Sequence, residues 1–76
     1  MLQVLKKRGG YYCVFQKGDQ WFHASMVDTF DHGPECLIFP CDKYGVISDW
    51  SEVDGGRFDL VSEESLLQTI ERFLSK

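Results

Sequence analysis

The sequence predicts an α+β domain: an antiparallel β-sheet of about four strands packed against one C-terminal α-helix. Three observations predict it. Apolar and polar side chains alternate with a period of two through the middle of the chain. Short runs rich in β-branched and aromatic residues are separated by glycine-bearing corners. One segment near the C-terminus repeats its apolar residues at helical spacing. A single domain over residues 1–76 is expected, with a meander-like sheet over about 2–58 and a helix over about 63–75.

Residues 1–8 open with Leu2, Val4 and Lys6 on one side and Leu5 against the pattern, which reads as a short edge strand. Gly9-Gly10 breaks it. Tyr11–Gln16 reads as a strand, Lys17-Gly18-Asp19 as a tight turn, and Trp21–Val27 as the partner strand of a hairpin. In that second strand Phe22, Ala24 and Met26 form the expected core face, and Trp21, His23, Ser25 and Val27 point the other way. Asp28–Glu35 is polar, with a Gly-Pro pair, and reads as the longest loop. Cys36–Cys41 is the third clear strand, with Pro40 marking an edge, a bulge or its end. Asp42–Gly45 is a turn and Val46–Trp50 the returning strand; Ser51–Phe58 is an irregular connection or a brief additional strand. Ser62 is placed to cap a helix whose first turn holds Glu63 and Glu64. Leu66, Leu67, Ile70, Phe73 and Leu74 make its apolar stripe, which the sheet must cover.

Charge is unevenly spread around a net value of −4. Lys6, Lys7, Arg8 and Lys17 precede every acid in the chain, and all twelve acids fall within residues 19–71. An acidic body repels a phosphate backbone, so nucleic acid is disfavoured as a partner. No apolar run is long enough to span a bilayer, so no membrane association is expected. Residues 1–10 hold charges but no apolar stretch of signal-peptide length. With an odd count of cysteines (Cys13, Cys36 and Cys41), this favours a cytoplasmic protein with reduced thiols.

The metal alternative uses Cys13, His23, His32 and Cys36. Cys13 and His23 are read as possible cross-strand neighbours, and His32 and Cys36 span the Gly-Pro turn. Cys36 and Cys41 point to opposite faces of an extended strand, about 16 Å apart, and do not form a zinc pair there. The simpler reading makes all three cysteines small hydrophobes in apolar strands, with no cofactor. No phosphate-loop or calcium-loop spacing occurs, and neither Cys13–His23 nor Cys36–His32 lies in a catalytic motif, so no enzymatic activity is expected.

What remains is a non-enzymatic protein-interaction or regulatory accessory module, expected to self-associate as a homodimer. Both tryptophans are read first as core, Trp50 more so than Trp21. The partner-binding reading instead displays Trp21, His23, Tyr44 and Trp50 on the face away from the helix or at strand ends, among acids that include Asp49, toward a basic protein surface. An acidic inhibitor or DNA mimic of a basic protein is a minor alternative; a net charge of −4 is modest for that role. Leu37–Trp50, an apolar strand, a turn and an Asp-Trp ending, resembles in style small bacterial or phage proteins; the resemblance implies an accessory role and no activity.

Overall fold

A computed structural model describes residues 2–76; Met1, counted in the expected domain, lies outside them. Five strands follow one another across one antiparallel sheet: β1 (Leu5–Lys7), β2 (Gly10–Lys17), β3 (Gln20–Thr29), β4 (Gly33–Cys41) and β5 (Asp54–Arg57). The helix α1 (Glu63–Leu74) packs on one face, giving the expected α+β architecture.

Parity sorts the side chains. The register aligns Cys13 with Ala24 and Ile38, and Phe15 with Phe22 and Pro40. These residues, with Met26 and Cys36, form the inner face, and all but the half-buried Pro40 are buried against Leu66, Ile70 and Phe73 of the helix. Phe73 sets its ring edge against Phe22 at 4.9 Å and Phe15 at 6.0 Å between centroids, a favourable geometry for aromatic quadrupoles. Phe22, Ala24 and Met26 thus occupy the core face that alternation assigned to them.

The helix ends are satisfied as the sequence implies. Ser62 Oγ accepts the Ser65 N–H at 3.1 Å, and Glu63 and Glu64 sit in the first turn. At the other end Lys17, from β2, donates to the carbonyls of Phe73 at 2.8 Å and Lys76 at 3.1 Å. One lysine therefore caps the negative end of the helix dipole and lies over the Phe73 ring.

Two expectations about chain path are corrected. Asp28–Glu35 is not a loop: β3 continues to Thr29 and β4 begins at Gly33. Thr29 Oγ1 accepts from His32 N and donates to Gly33 O, so three residues suffice to turn the chain. Val46–Trp50 is not a strand: only Ile47 pairs, in a single bridge to Cys41. The next residue pair would set Ser48 opposite Pro40. Ile38 and Pro34 turn their carbonyls toward β5, accepting from Val53 and Phe58, so Pro40 shares their parity and would face Ser48 with no N–H to give. The hairpin stops there, and the fifth strand forms later, from Asp54–Arg57 in the segment read as irregular or briefly extended.

Gly10 is fixed by close approach. A Cβ on it would lie 1.8 Å from the Met26 carbonyl oxygen. Lys7, paired with Gly10 in register, reaches across β2 to donate from Nζ to Ser25 Oγ, and desolvation lowers its pKa.

Candidate functional site

The face of the sheet away from the helix carries Tyr12, Val14, Trp21, His23, Ser25, Val27, Glu35 and Leu37, which the register lays out in rows. It is not bare throughout. The segment 42–53, between β4 and β5, lies back over one end of it. Asp42 begins the fold-over: its Oδ1 accepts from Tyr44 N at 2.8 Å and Val46 N at 3.0 Å, and its backbone N–H donates to Val46 O. Gly45 then drops onto the sheet. Its φ is +85° and a Cβ would stand 2.7 Å from Val14 Cγ2, so only glycine fits. His23 Nδ1 lies 3.0 Å from Gly45 O, and its ring stacks on Tyr12 at 5.4 Å. Farther along, Trp50 sets its ring at 64° to Phe39, 5.3 Å between centroids.

The segment is thus pinned at three places, yet it turns apolar groups outward. Tyr44 is 77% exposed, Trp50 70%, and Val46 and Val53 are also exposed. Trp50 is therefore not core, contrary to its first reading: Phe39 receives one edge of the indole and solvent the rest. Its alternation in sequence suggested a strand, and Pro40 prevents that strand. Trp21 is half-buried on the outer face beside Cys41. Asp49 is exposed and accepts from Ser51 N at 3.0 Å, which bends the chain next to Trp50. Of the five residues proposed for partner binding, all lie on the outer face or on the segment covering it. His23, on the outer face, is covered by that segment and serves as one of its pins.

Beside the covered end is a groove of about 310 Å³. Glu35, Leu37, Glu52, Val53, Gly55 and Arg57 line it. Gly55 supplies a floor without a side chain, directly across from Leu37, and Glu52 lies over it. Glu35 pairs in register with Arg57, so anionic and cationic groups share the rim. Sequence reasoning missed this groove. Ser51–Phe58 reads as an irregular connection or a brief additional strand, and only knowing which strand lies beside it, and in what register, places Arg57 against Glu35. The signal available was the alternation of Leu37 with Glu35 on β4, which marks a mixed outer face.

The edge next to the groove is held by a charge cluster. Asp54, with a side chain 10% exposed, receives Arg72 Nη2 at 3.0 Å and Lys76 Nζ at 2.8 Å. The hydrogen bond from Lys76 is the main cause of its lowered pKa, helped by the Gly55 N–H. Arg72 also donates to Gly55 O at 2.7 Å, while Gly55 N donates to Asp54 Oδ1. Both backbone polar groups of Gly55 are therefore occupied by side chains.

The proposed metal ligands are scattered. Cys13 pairs with Ala24 on the inner face, whereas His23 pairs with Val14 on the outer one. They are not the cross-strand neighbours expected, because the hairpin register is one residue away from bringing them together. Cys36 is buried beneath the helix and His32 is exposed at a hairpin tip. Among the described residues no three His, Cys, Asp or Glu side chains are grouped to hold a metal ion. Burial pushes the Cys36 thiol up to about 11 against an opposing hydrogen bond to Thr69, and burial also raises Cys13 and Cys41. Among the described residues no helix is long and apolar enough to cross a membrane.

No protein-family model, curated protein or solved structure matches the chain.

Proposed function

We propose that the protein is a non-enzymatic interaction module that binds a protein partner through the outer sheet face and the segment 42–53. One observation carries the reading. A twelve-residue connection without a strand or helix of its own is at the long end for a compact domain, where connections are either linkers or functional segments. Here it is held by Asp42, His23 and Phe39 while presenting Tyr44, Val46, Trp50 and Val53 to solvent. Rigid aromatic side chains lose little conformational freedom on binding, so a pinned segment that displays them is prepared for a contact. The mixed charges around the groove supply polar groups for the rim of such a contact.

The test is site-specific photo-crosslinking in the cells that make the protein. Benzoylphenylalanine replaces Tyr44 in one variant and Glu64, exposed on the helix, in another. The expected outcome is discrete protein adducts from position 44 and none from position 64. Equal labelling from both, or none from position 44, would sink the reading.

A further inference from the structure

Resting on that reading of the outer face, we propose that its occupant is a second copy of this chain. The two copies pair about a two-fold axis that runs across the strands, and the Trp50 indole of each enters the groove floored by Gly55 of the other. The face is a step. Its rows are Val14–His23–Phe39, then Tyr12–Ser25–Leu37–Gly55, then Gly10–Val27–Glu35–Arg57. The segment 42–53 covers the first row, through Gly45 on Val14 and Trp50 on Phe39. The other two rows lie beyond those anchors, with Glu52 reaching the middle one over Gly55. A two-fold axis along the middle row keeps β4 over β4 and exchanges the covered end for the open one. Each raised segment then fills the other copy's lower shelf, an isologous contact.

The same operation places the indole. Same-face neighbours on a strand are about 7 Å apart. Trp50 stands over Phe39, one row to one side of Leu37, so in the partner it falls over Glu35, one row to the other side. The groove is there, between Glu35 and Leu37 on one wall and Gly55 and Arg57 on the other. Its volume of about 310 Å³ suits a planar ring, and the apolar groups of Leu37 and Val53 in its lining, beside the bare backbone of Gly55, suit an indole face. Within a single chain the two parts stay apart: the indole is 70% exposed and the groove open.

Charge is complementary in this pairing. The raised segment carries Asp42 and Asp49 against Lys43, while Glu52 lies nearer the axis, over Gly55. The lower shelf carries Lys7 and Arg57 against Glu35. An acidic shelf therefore meets a cationic one, and Arg57 stands at the groove rim, where a guanidinium favours an aromatic face.

The experiment is sedimentation velocity over tens to hundreds of micromolar, with circular dichroism as the control for folding. The wild-type chain is expected to sediment as a dimer. Trp50→Ala removes the indole and Val53→Arg fills the groove; each should weaken association by at least about 30-fold with the fold unchanged. A wild-type monomer throughout the range overturns the proposal, as does a dimer that survives both substitutions. Crosslinking from position 44 separates this idea from the reading beneath it. An adduct of twice the chain mass supports the second copy. Adducts of other masses alone overturn it and leave the interaction module standing. No adduct removes both.

Discussion

Replacing Asp54 by asparagine keeps the shape and the acceptor oxygen of the side chain and removes one negative charge. In the folded chain that charge faces two cations, Arg72 at 3.0 Å and Lys76 at 2.8 Å. Their side chains are 53% and 58% exposed, so water screens both pairs, and each is worth a few tenths of a kcal/mol rather than several. Asparagine still accepts from the Gly55 N–H. The loss is therefore about 0.5–1 kcal/mol, which for a domain of this size lowers Tm by about 2–8 °C. The assay is thermal unfolding followed by circular dichroism, repeated across pH and salt. Asp54 has a lowered folded-state pKa, so its stabilisation is complete above the ordinary carboxyl value and disappears as pH falls through the lowered one. Wild type and Asp54→Asn should differ at neutral pH and converge in strong acid. High salt should narrow the gap at neutral pH. A gap that is constant from neutral pH to strong acid, or indifferent to salt, would refute the assignment of the effect to charge.

Gly10→Ala should destabilise by at least about 2 kcal/mol, because its methyl would meet the Met26 carbonyl at 1.8 Å and the strands must separate to admit it; a urea midpoint unchanged from wild type would contradict this. Of the three thiols, only Cys41 is both on the outer face and incompletely buried, so a maleimide at pH 8 should label one cysteine per folded chain and all three in urea. Mass spectrometry counts the adducts, and rapid labelling of Cys36 in the folded state would show that its burial is wrong. His23→Ala removes one of the pins under Gly45 and should speed hydrogen exchange across residues 42–53 while leaving the protection of α1 intact. Unaltered exchange there would mean that Asp42 and Phe39 hold the segment without it.

The fold was legible where local and global signals agree. The alternation of Phe22, Ala24 and Met26 identified the core face because all three are buried in one cluster with the helix residues Leu66, Ile70 and Phe73. Ser62, Glu63 and the stripe ending in Phe73 located the helix because capping and periodicity are local properties. The outer face was harder to read. Trp50 alternates as a strand residue would, but its strand depends on a hydrogen bond that Pro40, ten residues earlier, does not donate. Asp28–Glu35 looked like a loop because its residues are polar, yet polar residues are tolerated where strands run past the core. Cys13 and His23 looked adjacent because a hairpin of that length brings them near each other, and a register one residue away puts them on opposite faces. The groove was hidden for a similar reason. Its floor is a glycine whose role depends on which strand lies beside it.

The clamp at Gly55 has a consequence for how this chain behaves at high concentration. A sheet grows by adding a strand to an edge whose backbone groups are unpaired. On the β5 side, Arg72 takes the Gly55 carbonyl and Asp54 takes its N–H, so an incoming strand finds the middle of that edge occupied. On the other side β1 is three residues long, two of them lysines, which repel a second copy of themselves. Neither end of the meander is a template for fibrillar stacking. Acid would protonate Asp54 and loosen the first of these guards while leaving the second in place. Ordered aggregation at low pH should therefore start from the β5 edge, in chains whose helix has let go of it.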